Sequence, residues 1–273
     1  MTESLLLNQH NRDDLTKEIP SFTFPFDVVF HAAGKAHVVP KNQRESDEFF
    51  SVNVNGTMNL CKGLEQVGVP RQFIYISSVA VYGVENGSAI DESTALSGMT
   101  PYALSKVQAE RYLIEWCKLH QVRLIILRPS LIAGVCPPGN LGAMINGLRH
   151  NRYVSIAGGK AHKSIVMAED FARLLPLIRD IEFGIFNICA DYAPSFRELE
   201  HCILEQLGKT RLLNIPYGIM YIFARLGDCL GEKSIFNRSK LRKITSDLTF
   251  SNQAIKEHTN WNPLDVLTHF KIQ

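Results

Sequence analysis

The chain has 273 residues, 45% of them hydrophobic and 21% charged, and its 29 basic and 27 acidic residues leave a net charge of +2. This length allows one large domain or two closely packed ones around a substantial core. The charges are interspersed with no basic block, which excludes a nucleic-acid partner.

The six cysteines (Cys61, Cys117, Cys136, Cys189, Cys202, Cys229) form no Cys-x-x-Cys or Cys/His cluster. Free thiols in a reducing compartment are expected, and no metal site. The N-terminus carries only a short apolar run, Leu5–Leu7, with no basic segment ahead of it, and is not read as a signal peptide. The apolar stretch Ile215–Phe223 is too short to span a bilayer. A cytoplasmic protein with no membrane span is expected.

In chain order, "FDVVFHAAG" (26–34) reads as a strand ending in small residues. A helix follows, with Phe49, Val52, Gly56, Leu60, Leu64 and Val67 at helical spacing and Gly68 and Pro70 closing it. "QFIYISSVAVYG" reads as a strand, a polar loop leads to a helix over Pro101–Leu119, and "VRLIILRPS" reads as a buried strand. Continuous apolar strands separated by helices predict an α/β fold, a doubly wound parallel sheet covered on both faces. Such sheets bind ligands at the carboxyl ends of their strands. Ala32-Ala33-Gly34, Ser77-Ser78 and Arg128-Pro129-Ser130 fall there.

Beyond about residue 134 the pattern changes to the Pro/Gly loop "CPPGNLGAM" and a helix near Leu141–Asn151. Residues 164–190 are expected to return to the sheet, and the rest is mainly helical. The expected division is a dinucleotide-binding domain over 1–134, joined by 164–190, and a smaller substrate lobe within 135–273.

"PYALSKVQAE" (101–110) sets Tyr102 and Lys106 at i and i+4, on one helix face. An ammonium beside a phenol favours the phenolate, which would let Tyr102 act as acid or base near neutral pH. The pair alone also fits a solvated helix face. Ser78, at a strand end 24 residues earlier, and Pro101 in the first helical turn favour the chemical reading.

Together "DVVFHAAG", "VNVNGTMNL", "FIYISSVAVYG", "PYALSK", "LRPSLIAG" and "NWNP", in this order, resemble the extended short-chain dehydrogenase/reductase superfamily, in its NAD-dependent nucleotide-sugar epimerase/dehydratase family. The resemblance implies that Tyr102 exchanges a proton with a sugar hydroxyl, that Lys106 holds the nicotinamide ribose, and that Ser78 bonds the reacting oxygen. It places Ala32, Ala33, Gly34, Asn53 and Pro129 at the cofactor, with Asp14 and Leu15 of "DDLTKEI" at its adenine. Asn140 and Arg242 would hold the substrate's diphosphate, and Lys163, standing where the family commonly has arginine, would join them in binding the substrate. His37 is expected to be a structural histidine satisfied within the fold.

Two departures from the family matter. No Gly-rich phosphate loop precedes Gly34, so that by the size of a βαβ unit roughly 30 residues are expected to be missing ahead of the first strand. The chain then reads as a truncated enzyme or as a shortened, inactive relative binding a nucleotide-sugar or a protein partner; the retained Ser78, Tyr102 and Lys106 favour the former. The C-terminal pattern is expected to be complete. Second, Ser78 is followed by Val79-Ala80 where dehydratases carry an acidic pair, which argues against water elimination.

The expected function is therefore an NAD(P)-dependent nucleotide-sugar 4-epimerase or 4-ketoreductase, with NAD favoured. Its expected substrate is a UDP-hexose or UDP-N-acetylhexosamine, and its expected assembly a homodimer. A reductase of a non-sugar substrate is the further alternative.

Overall fold

The computed structural model of the protein describes residues 14–229 and 236–272. The Leu5–Leu7 run and the side chain of Cys229 lie outside the described residues. The strands are β1 (Val28–His31), β2 (Gln72–Ile76), β3 (Gly87–Ile90), β4 (Arg123–Pro129), β5 (Leu131–Ala133), β6 (Ser155–Ile156), β7 (Ile165–Met167), β8 (Phe183–Ile188), β9 (Asn214–Ile215) and β10 (Leu248–Phe250). The helices are α1 (Gln43–Phe50), α2 (Gly56–Val67), α3 (Pro101–His120), α4 (Gly139–Arg149), α5 (Glu169–Leu174), α6 (Phe196–Gln206), α7 (Tyr217–Cys229), α8 (Arg238–Thr245), α9 (Gln253–His258) and α10 (Val266–His269).

The described residues form two compact units. The first holds residues up to Gly83, Ala95–Arg128 and Arg179–Ile185; the second holds Val84–Thr94, Pro129–Ile178 and the residues from Phe186.

The first unit is built on a sheet of order β1-β2-β4-β8, in which β1, β2 and β4 run parallel. An α/β fold with a parallel sheet is what the apolar runs predict, and β2 and β4 are buried along almost their whole length. Strand β1 differs: at the sheet's edge among the described residues, it leaves Val28 47% and Phe30 41% exposed. Its apolar run predicts cover on both faces, and here one face is open. Phe73, Tyr75, Leu124 and Ile126 of the sheet pack on Leu60 and Leu64 of α2 and on Leu113 and Trp116 of α3.

The helix expected as one element is interrupted. Between α1 and α2 the backbone forms a π-helical turn, Ser51–Asn55, that buries Asn53 and Val54. The strand expected through "SSVAVYG" stops at Ile76, because Ser78 caps a short 3₁₀ turn, Val79–Tyr82, by accepting from Ala80 N–H. Helix α3 starts where the sequence predicts: Thr100 accepts from Ala103 N–H, and Pro101, which has no N–H to satisfy, opens the first turn. Gln121, at φ 54°, turns the chain out of it.

In the second unit β3 pairs with β10, β5 with β7, and β6 with β9, all parallel. Of residues 164–190, only β8 joins the four-stranded sheet. The core gathers Leu141, Ile145 and Leu148 of α4 with Ile165, Leu199, Ile203 and Phe270. Helix α6 opens on a reciprocal cap between Ser195 and Glu198.

Candidate active site

Helix α3 turns Tyr102, half-buried, and Lys106, buried, to the carboxyl end of β2. Burial, the larger effect, pushes the Tyr102 pKa up, while the nearby Ser78 side chain pulls it down. The net shift is upward, so the phenol holds its proton at neutral pH. The sequence leads one to expect the opposite, a phenol acidified by Lys106. Burial is the cause, and the ammonium points elsewhere: Lys106 Nζ donates to the Ile76 carbonyl at 2.8 Å and sits 4.7 Å from the centre of the Tyr75 ring. Burial lowers the Lys106 pKa to about 8, against the opposing pull of Glu110.

Asn53, from the π-helical turn, joins three segments. It accepts from Lys35 N–H at 2.7 Å, and its Nδ2 donates to the Lys35 carbonyl at 3.1 Å and to Ser105 Oγ at 2.8 Å. Ser105 Oγ in turn donates to the Tyr102 carbonyl at 2.8 Å, one turn back on α3. Gly34 lies beneath this web: a Cβ there would stand 3.0 Å from Asn53 Oδ1 and 3.1 Å from Lys106 Nζ. Ala32 and Gly34 are exposed and Ala33 is half-buried, so small residues form an open floor after β1.

The other residues selected from the sequence are dispersed. Asp14 is exposed, its carboxyl held at about 2, chiefly by the Thr16 side chain and then by Lys17. Leu15 packs on the first unit's core, and its carbonyl accepts from Asn59. Pro129 is buried at the end of β4. His37 does not sit satisfied in the fold; it is exposed, in a loop position with φ 60°.

Asn140, Lys163 and Arg242 all belong to the second unit. Asn140 is exposed in the first turn of α4, and Arg242 is exposed on α8. Lys163 donates to the carbonyls of Lys243 and Ser246 at 3.0 and 2.9 Å, so it braces the C-terminal end of the helix that carries Arg242. A cation suits that end of a helix, where carbonyl oxygens lack partners.

Sequence reasoning missed a buried ion pair. Arg128 donates from Nε and Nη2 to the two oxygens of Glu110 at 3.0 and 2.6 Å, and from Nη1 to Tyr82 Oη at 3.1 Å. Glu110 stands one turn beyond Lys106, so its signal was present as a third polar residue at i+8 from Tyr102. His31 was missed too: buried on β1, its Nε2 lies 2.9 Å from Thr57 Oγ1. Thr57 spends its one hydroxyl proton on the Asn53 carbonyl, so His31 must be the donor, as the neutral Nε2–H tautomer.

The family model described as the NAD dependent epimerase/dehydratase family matches residues 6–189. The chain belongs to that family. Among its curated relatives is a GDP-6-deoxy-D-mannose reductase of Pseudomonas aeruginosa, 29% identical, matched over 89% of this chain and 84% of the relative. Another is the N-acetyl-α-D-glucosaminyl-diphospho-ditrans,octacis-undecaprenol 4-epimerase of Escherichia coli O157:H7, 26% identical over 78% of this chain. The chain spans 66% of that relative's length. Two solved structures share the fold. RMD from Pseudomonas aeruginosa, complexed with NADPH, has a TM-score of 0.65 at 21% identity, covering 89% of this chain and 78% of that one. The UDP-glucose 4-epimerase of Thermotoga maritima with UDP-glucose has a TM-score of 0.69 at 20% identity, covering 90% of this chain and 75% of that one.

The residues present fit the dinucleotide that the family name implies. Lys106 is a three-proton donor with one hydrogen bond to the protein, so donors remain for hydroxyl groups of a ligand. The bare backbone at Gly34 leaves space in front of that ammonium which a side chain would fill. Among the described residues no helix is long and apolar enough to cross a membrane.

Proposed function

We propose that this protein is an NAD(P)-dependent nucleotide-sugar 4-epimerase or 4-ketoreductase. The observation that carries the reading is Tyr102, beside Ser78 and one helical turn from a buried Lys106. When bound, the nicotinamide supplies or accepts a hydride at a sugar carbon. The protein's task is the accompanying proton at the sugar oxygen. A phenol that keeps its proton, as the raised pKa of Tyr102 requires, is ready to donate to a carbonyl oxygen that becomes a hydroxyl. Ser78 stands beside Tyr102, and a substrate oxygen between the two would be oriented by both. Lys106 would hold ribose hydroxyls, and its charge would stabilise the phenolate that remains after proton donation.

Ala32, Ala33 and Gly34 would admit the cofactor close to the backbone. Asn53 would fix that floor to α3, Pro129 would line the nicotinamide pocket, and Asp14 with Leu15 would meet the adenine. NAD is favoured by the family name, while the reductase relatives bring NADPH into consideration. The relatives named above share a sugar on a diphosphate. A UDP-hexose or UDP-N-acetylhexosamine is the proposed form here, with Asn140 and Arg242 on the diphosphate and Lys163 bracing Arg242's helix. A homodimer through α2 and α3 is part of the same reading.

The test is turnover of UDP-hexoses and UDP-N-acetylhexosamines with NAD, and of their 4-keto forms with NADH or NADPH, read by NMR of the C4 proton. The reading predicts product with the wild type and a loss of about 10²–10⁴-fold in Tyr102→Phe. No product with any nucleotide-sugar would favour the inactive relative, and product undiminished in Tyr102→Phe would remove Tyr102 from the proton transfer.

A further inference from the structure

Helix α7, in the second unit, carries apolar residues both on the side that packs on the protein and on an exposed side. Ala224 and Gly227 are buried and Met220 is half-buried, which defines the side that packs on the protein. Ile219, Ile222, Phe223 and Leu226 follow one another at i, i+3, i+4 and i+7 on the other side, and are 48%, 62%, 58% and 60% exposed. Tyr217 and Tyr221, with ring centres 6.1 Å apart, are exposed at its N-terminal half, as is Leu213 just before it. Single exposed apolar residues need no explanation, but a contiguous stripe at helical spacing does.

The charge around the stripe indicates what covers it. Helix α8 follows α7 and packs against it. It holds Arg238, Lys240, Arg242 and Lys243, all exposed, and no carboxylate. Of these cations, Arg238 pairs with Asp228 and Lys243 with Glu85. Protein–protein interfaces are depleted of lysine at their core. An exposed apolar stripe with tyrosines along it and a basic helix beside it instead matches a surface that lies in the plane of an anionic bilayer.

We propose that α7 and α8 form a membrane-surface docking patch. Ile219, Ile222, Phe223 and Leu226 would enter the acyl boundary, Tyr217 and Tyr221 would sit at headgroup level, and the lysines of α8, not Arg242, would face the anionic headgroups. The patch lies on the surface without spanning it, consistent with the absence of a long apolar helix among the described residues.

The test is flotation of the full chain with phosphatidylcholine vesicles and with vesicles containing about 30% phosphatidylglycerol. The wild type is expected to float with the anionic vesicles and less in high salt. Ile222→Ser/Phe223→Ser/Leu226→Ser, all surface positions, is expected to lower bound protein by about tenfold, and Lys240→Glu/Lys243→Glu to do so on anionic vesicles alone. Circular dichroism melts establish that both variants fold. Wild-type protein that stays with neither vesicle, or a triple variant that floats as well as wild type, would overturn the proposal. So would an oligomer in gel filtration that the triple variant dissolves while no flotation occurs, since the stripe would then be covered by a second copy. Turnover of a soluble nucleotide-sugar should be unchanged in the triple variant, so a failure here is separable from a failure of the proposed function. The charge variant alters the helix of Arg242, which that function places on the substrate, and is not tested for turnover.

Discussion

Asn53 donates from Nδ2 to Ser105 Oγ at 2.8 Å, joining a π-helical turn to the helix of Tyr102 and Lys106 across 52 residues of sequence. The same side chain holds Lys35 by both its N–H and its carbonyl. One amide thus sets the spacing between the Gly34 loop and α3. Asn53→Ala would leave a buried hydroxyl and a backbone N–H short of partners. We expect a loss of about 2–3 kcal/mol in urea denaturation, together with weaker NADH binding. Unchanged cofactor affinity in a destabilised variant would reduce Asn53 to a packing residue.

The Arg128–Glu110 pair makes a different prediction. Both side chains are nearly inaccessible, at 4% and 2% exposure. Glu110→Ala leaves a buried guanidinium without its counter-charge and is expected to cost about 3–5 kcal/mol. The double variant Glu110→Leu/Arg128→Met should recover most of that loss, because neither charge is then buried alone. A double variant no more stable than Glu110→Ala would contradict this.

Lys106 should destabilise the fold that carries it. In the unfolded chain it stays protonated to its ordinary value of 10.5, whereas in the folded protein it loses the proton at about 8. Between those values the unfolded state binds more protons, so this residue's contribution to stability rises with pH; below about 8 its full cost is present. Lys106→Met is expected to be more stable than wild type at pH 7 by about 1–3 kcal/mol, with the gap narrowing toward pH 10. Thermal melts across that range measure it.

His31 acts in the opposite range. Burial first, and then the Lys106 charge, lower its pKa from 6.5 to about 3. The folded state therefore refuses a proton that the unfolded chain accepts, and stability is fully present above 6.5 and lost as pH falls toward 3. From pH 7.5 to 5 this residue should account for about 2 kcal/mol of lost stability. His31→Gln should show that much less acid sensitivity in urea midpoints.

Much of this was legible in the sequence. The apolar runs gave β2 and β4, and Thr100-Pro101 marked the start of α3, because strand burial and helix capping are local properties. The π-helical turn was not, since one extra residue in a helix hardly disturbs the apolar spacing that runs through Phe49 and Leu60. The Glu110–Arg128 pair joins a helix to a strand, and only tertiary register brings them together. The i, i+4 spacing says that Lys106 is near Tyr102 but not that its ammonium turns to the Ile76 carbonyl. Strand β3 lay unseen in a polar loop because its pairing partner, β10, is far along the chain.

The central claim is that the face bearing Gly34, Tyr102 and Lys106 holds a nicotinamide cofactor. The most direct measurement is a fluorescence titration of the purified chain with NADH and with NADPH, beside Lys106→Ala. Saturable micromolar binding of at least one cofactor, weakened about tenfold in Lys106→Ala by loss of a charge-assisted donor, is the predicted result. Absence of saturable binding for both cofactors, or equal affinity in the wild type and Lys106→Ala, would contradict it.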